Sequence, residues 1–284
     1  NMGTSTSYGG PRLGLVPTWL AGPTPSPVPP AAPPAAPGPS GPPVPPPQSK
    51  PQPTPQVPNT GGSLTGARNA FSRFAGSGSR SALEKGLSHY VRTGTGGAGR
   101  ATQRMGSSRG TAAKLIGVVR DFQRIGPAGA LNLYALQGLA GRPAEEVFTR
   151  LLDTICPTGG TVDEAIARTG ILEAIDQLAQ TGVGNFDQLT SVQLEEFVAN
   201  IISNTIEGRI LNDIGSRGIS LPDDVAAVDN IQNQLRDVIS GCVRDAMVGK
   251  LTGVAKMSDH AVAAIAERIY EAAFGFVAAL VDAL

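Results

Sequence analysis

Twenty of the chain's 24 prolines fall between Pro11 and Pro58, which leaves four for the other 226 residues. Proline lacks a backbone donor and fixes φ, so a stretch this rich in it builds neither helix nor sheet and favours extended polyproline II. The composition therefore predicts a disordered Pro/Gly-rich linker over residues 12–66, behind a distinct N-terminal tip at 1–11. The rest of the chain is about 220 residues long, enough for one large domain with its own core.

That remainder reads as all-α, a helical bundle domain. Helix starts are marked by Ser/Thr followed three residues later by Glu/Gln, at Ser81–Glu84, Thr161–Glu164 and Thr190–Gln193. Leu189 and Leu194 are spaced as a hydrophobic staple around the third. From Arg100 one helix is expected to run towards Arg124, with shorter ones at 127–139 and 143–155. Val162, Ile166, Leu172, Ile175 and Leu178 form the expected core stripe of the next, and a long helix from Thr190 is stopped by Gly215 or Gly218. Pro222, Asp223 and Asp224 suit the first turn of a helix that carries Val228, Ile231, Leu235, Val238 and Cys242 inward. The last helix, Ser258 to Leu284, shows two apolar stripes, one ending in Phe276 and the other in Val281, and is expected to be buried.

The formal net charge is zero, yet it is sharply divided. Residues 67–124, read as a basic helical segment, hold eleven Lys/Arg against Glu84 and Asp121, or +9. Residues 125–284, read as an acidic helical domain packed with it, hold ten against 21, or −11. Such polarity speaks of partners rather than of fold. The basic segment offers a nucleic-acid reading, with Arg100, Arg104 and Arg109 as candidate anion or partner contacts behind the glycine run Gly94–Gly99. It offers equally the neutralisation of the chain's own acidic half. Glu207, Arg209, Asn212, Asp213 and Arg217 near the end of the long helix suit ion pairs and helix termination better than acid–base work.

No catalytic set can be assembled. Cys156 and Cys242 stand alone and read as buried thiols, and only His89 and His260 are available to supplement them, so no metal site and no resident cofactor are expected. No apolar run is long enough to span a membrane and no signal core is present, which makes the cytoplasm the expected compartment. The chain reads as a non-enzymatic protein.

The tip Met2-Gly3-Thr4-Ser5-Thr6-Ser7-Tyr8-Gly9-Gly10-Pro11 is small and polar, unlike the tract behind it. Asn1 ahead of Met2 reads as a residue left by a tag, so Met2 is the expected natural start. Removal of Met2 then leaves Gly3 with a free α-amine of pKa near 8, partly neutral and nucleophilic at cytoplasmic pH.

This tip, the Pro-rich spacer, the segment Gly96-Gly97…Arg104-Met105-Gly106-Ser107-Ser108-Arg109 and the helix segment Ile206-Glu207…Arg209…Asn212-Asp213-Ile214-Gly215 together resemble the QatB family. That family belongs to the four-gene Qat anti-phage defence system. The resemblance implies companions of three kinds: an ATPase, a QueC-like enzyme of 7-deazaguanine chemistry and a TatD-like nuclease. It further implies that the QueC-like enzyme couples a 7-deazaguanine base to the N-terminal glycine of its partner. Here that residue is Gly3, with Thr4, Ser5, Thr6, Ser7, Tyr8, Gly9, Gly10 and Pro11 as the recognition tip and a covalent adduct in place of a cofactor. The alternative is a nucleic-acid-binding or scaffold subunit of a defence complex that uses residues 67–124.

Overall fold

The computed structural model describes residues 62–156, 160–215 and 225–283. They form nine α-helices and no β-strand, so the all-α class holds for the described residues. The helices are α1 Thr65–Ser77, α2 Arg80–His89, α3 Ala98–Gln103, α4 Gly106–Leu133 and α5 Ala144–Ile155, then α6 Val162–Gln180, α7 Ser191–Gly215, α8 Val225–Met247 and α9 Asp259–Ala279. A single π-helical turn, Tyr90–Gly94, leads out of α2.

The centre is α7, enclosed on nearly every side between Phe197 and Glu207, where even Ser203, Asn204, Thr205 and Glu207 are buried. α6 and α8 flank it, and α4 packs across it. α9 lies against α3, α4 and α8, while α1 and α2 form a hairpin turned by Gly78, which takes the left-handed conformation at φ 64°. Cys156 and Cys242 are both free and buried.

Two of the expected helix starts are present in full. Thr161 Oγ1 accepts from the Glu164 amide at 3.2 Å while Glu164 Oε2 accepts from the Thr161 amide at 2.9 Å. Thr190 and Gln193 repeat the exchange at 3.2 and 2.9 Å, with Leu189 and Leu194 buried beside them. The third start is not formed. α2 begins at Arg80 directly after the Gly78 turn, with Ser79 before it, which puts Ser81 inside the helix, and Glu84 binds Arg80 at 2.8 Å instead.

The helix expected from Arg100 towards Arg124 is in fact two helices, broken at Arg104 and Met105. Met105 is fully buried in the break. α4 is itself two helices joined at Gly126, whose φ 75° and ψ 169° are not helical, so the expected stop after Arg124 and new start at Pro127 are present, and the second piece ends at Leu133 rather than 139.

In α6 the expected stripe holds at Ile175 and Leu178, is half-buried at Ile166, and fails at Val162 and Leu172. Val162 and Leu172 are 53% and 47% exposed, and the buried side is Ala167, Gly170, Ile171, Ala174, Ile175 and Leu178. The reason is Gly170, where the α7 backbone comes so close that an added Cβ would lie 2.7 Å from Thr205 Cγ2 and 3.3 Å from the Thr205 nitrogen. Asn204 Nδ2 also donates to the Gly170 carbonyl at 3.1 Å. α9 is buried as expected along Val262, Ile265, Ile269, Tyr270, Phe274 and Val277, but Phe276 is 44% exposed and the helix gives way after Ala279 to a 3-10 turn, Leu280–Ala283. The expected helix start at Pro222–Asp224, the expected stop at Gly218, Arg217, and the tip and linker up to residue 61 lie outside the described residues.

The glycine contact gives a direct test. Gly170→Val should lower unfolding stability by about 2–3 kcal/mol through overpacking of α6 on α7. Gly110→Ala, where a Cβ meets nothing within 4 Å, should raise it by up to about 1 kcal/mol. Urea unfolding followed by circular dichroism measures both.

Candidate functional site

The polar residues of greatest interest gather at the C-terminal end of α7. The Asp213 side chain is 8% exposed there; its Oδ2 accepts from Tyr90 Oη at 3.0 Å and forms ion pairs with Arg104 at 3.2 Å and Arg209 at 3.4 Å. Arg68 from α1 donates to the Asp213 main-chain carbonyl at 3.2 Å, where a cation also complements the negative end of the α7 dipole. One residue thus joins α1, the π-helical turn after α2, the break after α3, and α7. Burial, and then the nearby Asp213 charge, hold the Tyr90 phenol well above its ordinary pKa, so it acts as a fixed proton donor to Asp213.

Arg104 opens a second set of bonds, made by the turn between α3 and α4. The Ser107 amide donates to Asp163 Oδ2 at 2.5 Å and Ser108 Oγ donates to Asp163 Oδ1 at 2.9 Å. A helix start leaves amides without intrahelical partners, and here an acid from the first turn of α6 takes the cap's role. Arg109, one turn on, pairs with Glu267 of α9 at 2.9 Å. Residues 104–109 are therefore tied to α7, α6 and α9 at once.

Of the three arginines predicted as contacts, Arg104 and Arg109 are held in these internal ion pairs. Arg100 is exposed, its side chain lying over Gly96, where an added Cβ would come within 3.1 Å of it. The glycine run ahead of it makes a compact turn. Gly96 and Gly97 take φ of 83° and 109°, the Gly97 amide bonds to the Val91 carbonyl at 2.8 Å, and the buried Thr95 hydroxyl bonds to the same carbonyl at 2.8 Å. Gly3 and Thr4 to Pro11 lie outside the described residues.

Six of the eleven basic side chains in 67–124 form ion pairs: Arg80, Arg92, Arg104, Arg109, Arg120 and Arg124. Arg92, Arg104, Arg109 and Arg120 reach acids beyond residue 125, namely Asp282, Asp213, Glu267 and Asp259. Glu207, expected among ion pairs, is buried and bound by Arg236 at 3.1 Å. Burial raises its carboxyl, Arg236 opposes the shift, and Glu173 adds to it.

The chemistry of these groups is that of a clamp. Tyr90, Ser107 and Ser108 spend their donors on the two carboxylates, while Arg68 Nε and Arg209 Nε are buried beside Asp213 without a hydrogen-bond partner. The Cys242 thiol is pushed up to about 11 by burial, which disfavours a reactive thiolate. Among the described residues no group of three or more His, Cys, Asp or Glu is placed to hold a metal, and no helix is long and apolar enough to cross a membrane. Sequence reasoning missed Tyr90, Asp163, Arg68 and Glu267 as partners, since their contacts span 55 to 158 residues and no local spacing announces them.

Comparison with known proteins gives a match to the family model described as "Qat anti-phage system associated protein QatB" over residues 96–277. No curated protein and no solved structure matches the chain. The matched stretch holds both ends of the Arg104–Asp213 pair and both ends of the Asp163 cap.

Asp213→Ala would strand a buried phenol and two guanidinium groups, and should cost about 3–5 kcal/mol of stability by chemical unfolding. Glu207 gives a pH test. Its folded-state pKa is raised, so its contribution is fully present below the unfolded carboxyl pKa of about 4.3 and is lost as pH rises through the folded value. Glu207→Gln should flatten that fall in a series of unfolding curves from mildly acidic to neutral pH.

Proposed function

Since this chain belongs to the QatB family, which is associated with Qat anti-phage defence, we propose that it is a non-enzymatic partner protein that presents its N-terminal glycine to a QueC-like enzyme. The helical domain is the part that docks the enzyme. The Pro-rich tract is the spacer, and Gly3 with Thr4–Pro11 is the substrate tip. The α-amine of Gly3 is the group joined to a 7-deazaguanine base. The other Qat components, an ATPase and a TatD-like nuclease, are further partners, and the cytoplasm is where they meet.

The observation that carries this reading is the order of parts along the chain. A small polar tip carrying Gly3 stands at the far end of a spacer holding 19 prolines, ahead of a folded body. Polyproline II is extended at about 3.1 Å per residue and costs little entropy to hold out, which suits a terminus delivered to another protein's active site. The disposition of charge supports it as well. The basic segment spends Arg92, Arg104, Arg109 and Arg120 on the chain's own acids, which leaves less for a phosphate backbone.

The test is intact-mass analysis of the chain beginning at Met2, co-expressed with the QueC-like enzyme of its own system. An adduct of 7-deazaguanine mass on the N-terminal peptide is expected, absent in Gly3→Glu, and defence against phage should fall with it. A peptide that always starts with unmodified Gly3, together with full defence by Gly3→Glu, would sink the reading.

A further inference from the structure

Between α4, the end of α5 and the start of α9 lies a pocket of about 320 Å³ that none of the roles above uses. Its floor is Gly117, a buried glycine in the middle of α4. Glycine is a poor helix former, and a glycine at such a place usually makes room for a neighbour, as Gly170 does for Thr205. Gly117 makes room for nothing in the chain, since an added Cβ would meet no atom within 4 Å. The space it keeps open is the pocket.

At one end of that space stands Arg120. Its side chain is mostly buried, and it donates through Nε and NH2 to Asp121 at 3.0 and 3.3 Å. Asp121 is buried too, and also accepts from Arg124 at 2.9 Å and from the Tyr134 hydroxyl at 3.4 Å. The Gly126–Pro127 kink brings Tyr134 back to this point. Burial and the Asp121 charge push the Tyr134 phenol up to about 12, so it stays a donor. The remaining Arg120 nitrogen, NH1, is taken by Asp259, whose side chain is 93% exposed. An ion pair so open to water is the weak link of the set. Lys114 adds a second cation at the rim, and Ile155 and Val262 give the pocket apolar walls.

We propose that this pocket binds a small organic anion, whose carboxylate or phosphate head displaces Asp259 from Arg120 NH1 and meets Lys114, while its flat or aliphatic body lies over Gly117 between Ile155 and Val262. Charge favours such a ligand. Lys114, Arg120 and Arg124 stand against Asp121 and Asp259, one net positive charge, which becomes two when the exposed Asp259 swings out. The guanidinium is already oriented by Asp121, so the head meets a preorganised donor. The site is independent of the N-terminal tip.

The experiment is an NMR titration of the full chain with benzoate, phenyl phosphate and uncharged benzyl alcohol. Saturable millimolar shifts at the amides of Gly117, Ile155 and Val262 are expected for at least one of the two anions, and the stronger of them identifies the head group. Benzyl alcohol should leave those amides unmoved. Gly117→Leu fills the floor and should weaken binding by about tenfold or more. Lys114→Gln, which changes only the exposed rim, should weaken it severalfold. Absence of saturable shifts with both anions, equal shifts with benzyl alcohol, or parent-like binding by Lys114→Gln and Gly117→Leu would overturn the assignment.

Discussion

The buried carboxylate of Asp213 is the constraint on which the rest of this architecture depends. A charge so enclosed is tolerable only if its oxygens are met, and here Tyr90 donates to the carboxylate, Arg104 and Arg209 pair with it, and Arg68 holds the main-chain carbonyl. Arg104 stands at the break between α3 and α4. The break then exposes amides at the start of α4, and Asp163 satisfies them from α6. The two segments that carry the family resemblance, one around Arg104 and one around Asp213, are the two halves of this single contact. Their chemistry is spent on holding the helices in register.

Charge obeys the same logic at larger scale. A +9 segment beside a −11 segment would be a poor design for a chain whose halves stood apart. Four arginines of the first bind acids of the second, so the two segments partly neutralise each other. The exposed pairs among them, such as Arg92 with Asp282, contribute little individually. The buried ones around Asp213 contribute direction and specificity.

Much of the fold is legible in the sequence because its signals are local. The capping exchanges at Thr161 and Thr190 need only three residues of spacing, and the apolar run of α7 announces its own burial. The failures have a common cause. Ser81 has the right neighbour in Glu84, but α2 begins directly after the Gly78 turn, which puts Ser81 inside the helix. The periodicity of α6 points to Val162 and Leu172, and the close approach at Gly170 overrides it. The candidate site is half visible in the sequence. Arg209 and Asp213 share a helix face by spacing alone, whereas Tyr90 and Arg104 join them from 123 and 109 positions away.

Distance along the chain has a consequence of its own. Arg92 and Ser88 find their partners at Asp282 and the Ala278 carbonyl, each 190 residues later, and Arg109 waits for Glu267. Helical proteins usually fold fast because their contacts are near in sequence, while contacts between remote residues cost loop-closure entropy before they repay it. During synthesis, the arginine-rich first helices leave the ribosome long before the acids that neutralise them. Arg104 finds Asp213 once α7 emerges, whereas Arg109 and Arg120 keep their charge unpaired by these partners until Glu267 and Asp259 of α9 follow.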